Sequence, residues 1–237
     1  MPSACSARNK TAYKILLFDL DDTLLDFAAN EADSLNRLFQ QHGHTFSAEL
    51  FRVYNAVNKQ LWTDYENGRI GLDDVLNSRF SATMARLGID VNGMEWEKQY
   101  RELLGNGTQQ MDGALTVCQN LSASHRLFVI TNGITKTQIK RLKKSGLYDF
   151  FEDIFTSQSI GFQKPAKEFF DYVMSHIAGF HIRESLIIGD SLNTDIKVGL
   201  LAGIDTCWFN HKSQAGSAEI PSTYTITRLS ELYDICT

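Results

Sequence analysis

Three aspartates, Asp19, Asp21 and Asp22, follow the apolar run Ile15-Leu16-Leu17-Phe18 almost without a polar transition. Carboxylates this close repel one another and resist leaving water, so the stretch needs a compensating partner. Positions i and i+2 of a nearly extended backbone share one side, which lets Asp19 and Asp21 converge on one point. Other apolar stretches also run into polar groups. "LFVITNG" ends on the hydroxyl of Thr131 and the amide of Asn132, then Gly133, where the backbone must turn closely. "SIGFQKPAKEFF" places Lys164 before Pro165, a residue suited to the first position of a helix. "LIIGDSLNTDI" carries Asp190 and, five residues on, Asp195.

The set is several acids, one hydroxyl, one amide and one lysine. Clustered carboxylates call for a hard cation, and oxygen-only ligation suits Mg²⁺. Lysine and the Thr131 hydroxyl suit a phosphate oxyanion. A carboxylate beside Mg²⁺ and a held phosphate can attack phosphorus to give an aspartyl-phosphate. A second carboxylic acid two residues away can protonate the leaving oxygen and later activate water.

The elements that position these groups alternate. Strands are expected at Lys14–Leu20, Arg126–Thr131, Asp153–Thr156, Ser185–Gly189 and Thr206–Phe209. Helices are expected between them, at Ala114–Ala123, Lys136–Lys144, Ala166–Ile177 and Thr194–Ala202. This order means parallel strands joined by right-handed crossovers, a doubly wound, Rossmann-like α/β sheet. Ligands of such a sheet bind beyond the carboxyl ends of its strands, where the polar groups above fall. Residues from Ala28 to about Gly107 read instead as helices only, without proline. Ser47 is a good N-cap there, and Leu50, Val53, Tyr54, Val57 and Leu61 recur at helical spacing. The expected organisation is an α/β core of residues 1–26 and 108–237, with an all-helical cap, 27–107, inserted after the first strand.

"DLDDTLL", "ITNG", the lysine of "QKP" and "GDSLNTD" resemble, in order, the four motifs of the haloacid dehalogenase-like hydrolase superfamily. The resemblance implies Asp19 as nucleophile and Mg²⁺ ligand. It implies Asp21 as acid/base, offering its backbone carbonyl to the metal. Thr131 and Asn132 would hold the phosphoryl group, Lys164 would neutralise it, and Asp190 would complete the metal site. Asp195 would lie in the outer acidic shell, orienting Lys164 or a metal-bound water. Dehalogenase members lack the second acid and phosphonate hydrolases carry a small residue there, so Asp21 argues against both. The insert resembles the helical caps that close over small-molecule substrates. "AVNKQLWTDYENG", "IGFQKPAKEFFDY" and "GIDTCWFN" further resemble a subgroup of nucleotidases acting on pyrimidine and non-standard nucleoside 5′-monophosphates. Trp62 and Tyr65 of the first segment could stack on a base, although three-residue helical spacing more often means packing.

The same groups also fit a sugar-phosphate phosphatase or phosphomutase. A phospho-aspartate receiver module fits less well, because its phosphoacceptor belongs at a middle strand and no helical insert follows its first strand. The formal net charge of −5 argues against a nucleic-acid polymer as partner, since phosphate backbones need a broad basic surface. The expected partner is a small phosphorylated metabolite, a nucleoside monophosphate first, and the expected protein is a monomer or homodimer. No apolar run reaches the roughly 20 residues of a membrane span, and scattered cysteines fit reduced thiols in a cytoplasmic protein. "KRLKK", 140–144, reads as a solvated helix face, "HKSQAGSAEIPS" as a surface loop, and Asp22 as a turn residue.

Overall fold

The computed structural model describes residues 13–236. Its strands are β1 (Ile15–Phe18), β2 (Arg126–Thr131), β3 (Asp153–Thr156), β4 (Ser185–Gly189), β5 (Asp205–Phe209) and β6 (Tyr224–Ile226). They form one parallel sheet in the order β3-β2-β1-β4-β5-β6. The central strands are buried throughout, which is why they read as unbroken apolar runs rather than alternating ones. Alternation appears instead in which face each residue serves. Leu16, Phe18, Val129 and Ile188 pack on one side of the sheet, and Ile15, Leu17, Ile130 and Ile187 on the other.

The flanking helices are α5 (Ala114–Leu121), α6 (Thr135–Ser145), α7 (Ser157–Ile160), α8 (Lys167–His176), α9 (Lys197–Ala202) and α10 (Leu232–Cys236), numbered after four that precede them. Those four, α1 (Phe27–Gln41), α2 (Ala48–Glu66), α3 (Leu72–Ala85) and α4 (Gly93–Leu104), are the helical insert. They enclose an apolar cluster of their own, built on Leu38, Phe39, Tyr54, Phe80, Trp96 and Tyr100. The Ser47 hydroxyl caps α2 by accepting from the Leu50 N–H at 3.1 Å. The two connections to the sheet pair with each other. Asp26 N–H donates to Gln109 O at 3.1 Å and Met111 N–H to Leu24 O at 3.0 Å.

The structure departs from the sequence reading at several element ends. β1 stops at Phe18 because the carbonyl of Leu20 turns back to accept from Leu24 and Leu25, both at 2.9 Å. The helix foreseen at Thr194–Ala202 is a wide π-turn, Leu192–Ile196, running into α9. Pro165 does not open α8. Residues 163–166 close a turn of their own, Ala166 N–H to Gln163 O at 2.8 Å, and the helix begins at Lys167. β6 was not foreseen, because three residues of mixed burial carry no usable period. Cys5 lies outside the described residues; Cys118, Cys207 and Cys236 are buried.

Candidate active site

Beyond the carboxyl ends of β1, β2 and β4, and beneath the helical insert, lies a cleft of about 270 Å³. Asp19, Asp21, Thr131, Asn132, Lys164, Asp190 and Asp195 all line it. Parallel register explains the convergence. Phe18 is aligned with Val129 on one side and Ile188 on the other, so the residues after each leave the sheet together.

Lys164 is the hub. Its side chain is only 2% exposed, and its ammonium donates to Asp19 Oδ1 at 2.7 Å, Asp195 Oδ1 at 2.6 Å and Ile130 O at 2.8 Å. Asn132 clamps the backbone that carries it: Lys164 N–H donates to Asn132 Oδ1 at 2.8 Å, and Asn132 Nδ2 donates to Lys164 O at 3.0 Å. The Asn132 side chain is therefore engaged with the lysine loop. Thr131 Oγ1 accepts from Gly133 N–H at 3.1 Å and from Gln138 Nε2 at 3.2 Å. Asp195 reaches back to accept from Ser191 N–H at 3.1 Å. Glycine is required before this turn, because a Cβ on Gly189 would stand 2.3 Å from the Asp195 carboxyl carbon.

Carboxylate oxygens of Asp19, Asp190 and Asp195 lie within 4.8 Å of one another, with one buried ammonium among them. Burial pushes the Asp19 carboxyl well up, and the nearby Asp195 and Asp190 charges add to this against the pull of Lys164. Burial, then Asp195 and Asp22, push Asp190 up to about 7. Lys164 is held cationic: burial disfavours its charge, but Asp19 and Asp195 outweigh that and raise it. Three carboxyl groups around one buried ammonium bring hard oxygen donors together, the donor set that suits Mg²⁺.

Several groups here were not foreseen. Thr23 Oγ1 donates to Asp19 Oδ2 and accepts from Asp190 N–H, both at 3.1 Å, tying two strand ends together. Trp208 Nε1 on β5 holds Asp190 O at 2.8 Å. Lys212, in the expected surface loop, donates to Asp22 Oδ2 at 2.7 Å and lies 3.8 Å from Asp190. "KRLKK" is not wholly a solvated face: Arg141 is fully buried and pairs with Asp21. The buried stripe of α6 is Gln138, Arg141, Leu142 and Ser145, a clear helical period written mostly in polar residues. A search for apolar stripes passes over it.

The insert forms the opposite wall, with Asn58, Trp62 and Glu66 of α2, Arg79 of α3 and Arg101 of α4. Burial raises the Glu66 carboxyl, which senses Lys164 across the cleft. Trp62 lines the cleft but Tyr65 does not. Tyr65 is buried edge-on against Trp62, and its hydroxyl donates to Ser157 Oγ at 3.3 Å, a contact between insert and sheet.

Sheet order, inserted helices and a lysine-bridged carboxylate cluster at the strand ends define a doubly wound hydrolase with a helical cap. Residues 13–203 match the model of the haloacid dehalogenase-like hydrolases, and the chain belongs to that family. It is 46% identical to the HAD-hydrolase YfnB of Bacillus subtilis over 94% of this chain and 95% of that one. The crystal structure of magnesium-bound YfnB is similar at a TM-score of 0.91 and 45% identity, over 96% of this chain and all of that one. The chain is 36% identical to the pyrimidine 5′-nucleotidase PynA of Streptococcus pneumoniae, over 94% of each. It is 32% identical to the pyrimidine 5′-nucleotidase YjjG of Escherichia coli, over 92% of this chain and 95% of that one.

Proposed function

We propose that this hydrolase is a Mg²⁺-dependent phosphomonoesterase that works through an aspartyl-phosphate on Asp19, and that its substrate is a pyrimidine or non-standard nucleoside 5′-monophosphate. The observation that carries the reading is the meeting of Asp19, Asp21, Thr131, Lys164 and Asp190 in one cleft. Asp19, Asp190 and the backbone carbonyl of Asp21 would hold the cation, with Asp195 in the outer acidic shell. Bound there, it neutralises charge so that an anionic carboxylate can meet an anionic phosphate.

Asp19 attacks phosphorus with the carboxylate oxygen, and the bond from phosphorus to the ester oxygen breaks. Asp21 gives that oxygen its proton, then takes one from the water that attacks the aspartyl-phosphate, releasing phosphate. The Thr131 hydroxyl, whose oxygen already accepts two hydrogen bonds, directs its own hydrogen to the phosphoryl group. Lys164 supports its charge, and Asn132 fixes the lysine loop. Residues 27–107 act as the cap, with Trp62 offering a face to the base. The identity with two pyrimidine 5′-nucleotidases over nearly the whole chain supports the choice of substrate.

Phosphate release from UMP with Mg²⁺ tests this. Asp19→Asn should reduce turnover by about 10³-fold or more, and EDTA should abolish it. Undiminished, metal-independent turnover by Asp19→Asn defeats the mechanism. Turnover of sugar phosphates in preference to nucleoside monophosphates defeats the nucleotidase assignment alone.

A further inference from the structure

Arg141 is among the largest fully buried side chains of the molecule, at 1% exposure. Its Nη1 donates to Asp21 Oδ1 and, at 2.9 Å, to Gln138 Oε1. Gln138 Nε2 donates to the other oxygen, Asp21 Oδ2, at 2.7 Å, and also to Thr131 Oγ1 at 3.2 Å. Both oxygens of the Asp21 carboxylate are therefore held, each by a side chain of α6. One amide nitrogen joins the acid to the threonine of the phosphoryl site. Room for that nitrogen exists because residue 133 is glycine, whose Cβ would otherwise stand 2.1 Å from it.

Arg141 also lines the cleft. Its Nε and Nη2 are buried with no hydrogen-bond partner among the described residues. The Phe27 ring, 5.6 Å from the guanidinium carbon, is its other notable neighbour. An apolar side chain of this size would fill the space and leave no donor unmet. What the guanidinium achieves is orientation. The terminal torsion of a free aspartate is broad, and misplacement of a reacting group by about 1 Å can cost about 10²-fold.

We propose that Arg141 and Gln138 are positioning residues that fix the Asp21 carboxyl against the phosphoryl site, so that its proton reaches the leaving oxygen. The proposal rests on the phosphomonoesterase reading above. It assigns the pair to a particular event: Asp21, whose side chain is 30% exposed, takes up a proton from solvent before the reaction, and as Asp19 bonds to phosphorus and the ester bond breaks, the departing oxygen takes that proton. An alkoxide such as the ribose 5′-oxygen needs that proton. A p-nitrophenolate leaves without it.

First-turnover rates of the full-length enzyme with Mg²⁺ on UMP and on p-nitrophenyl phosphate separate the two cases. In Arg141→Met, uridine release should fall about 100-fold, while the p-nitrophenolate burst stays within about fivefold of wild type. Arg141→Lys should recover part of the loss on UMP. If Arg141→Met does not fold, Gln138→Met, which leaves the Arg141–Asp21 hydrogen bond in place, must show the same direction of split. Equal losses on both esters, or none on either, overturn the positioning role and leave the phosphomonoesterase standing. A wild-type enzyme that releases phosphate from neither ester overturns both.

Discussion

Lys164 allows Asp19 and Asp195 to be buried side by side, because one ammonium within 2.7 Å of both offsets their repulsion. Asp22, the acid without a chemical role, holds a left-handed backbone with φ of 58°, a conformation aspartate tolerates better than most residues. Its side chain accepts from Ala28 N–H at 3.1 Å and from Lys212, so it joins the start of the insert to the loop after β5. Gly133 offers the sharpest test at this scale. A methyl group there would displace the flexible end of Gln138 rather than backbone. Gly133→Ala should therefore change unfolding free energy in urea by no more than about 1 kcal/mol, yet lower kcat on UMP by about tenfold or more. A variant with wild-type kinetics would show that the Gln138 bridge does not matter.

Among the elements, α6 and the insert share the work of building the cleft. One face of α6 looks onto Asp21 and Thr131, while Lys140 on the same helix pairs with Glu102 of α4 at 2.5 Å. The insert in turn depends on a buried ion pair. Arg79 of α3 donates to Glu97 of α4 at 2.6 and 2.7 Å, both side chains no more than 4% exposed. Its guanidinium also lies 4.6 Å from the Tyr100 ring centre. Removing one partner of such a pair strands the other charge. Arg79→Met should cost about 3–5 kcal/mol, read by urea unfolding followed through Trp96, which sits in the same apolar cluster. A loss below about 1 kcal/mol would mean that Glu97 finds compensation in Arg101, 3.3 Å away.

For the whole molecule, the carboxylate cluster couples stability to pH. Asp19 is raised by burial and Asp190 is raised from an ordinary 3.8 to about 7. An acid whose folded pKa exceeds its unfolded one contributes most below the unfolded value, and that contribution is lost as pH rises through the folded value. In EDTA, wild type should therefore lose stability relative to Asp190→Asn as pH rises from about 4 to about 7. A cation on these carboxylates requires them deprotonated, so on the proposed function the gain in Tm with added Mg²⁺ should grow over the same range and shrink in Asp190→Asn. A gain independent of pH, or equal in the variant, would argue against a cation on these carboxylates. No helix among the described residues is long and apolar enough to cross a membrane.

The sequence by itself determined the alternation of strands and helices, the helical insert, and the strand-end residues Asp19, Thr131 and Asp190. Each of these is written locally, as an apolar run with a polar residue at its end, and a parallel sheet must bring those ends to one edge. Local pattern stops where a partner is remote. Nothing near Arg141 in the chain distinguishes it from Lys140 or Lys143, because its burial depends on Asp21, 120 positions away. Thr23, Trp208 and Lys212 acquired their partners in the same way, and Tyr65 was drawn from the cleft by Ser157. Only tertiary structure decided these, because a buried polar side chain takes its role from whichever group satisfies its hydrogen bonds.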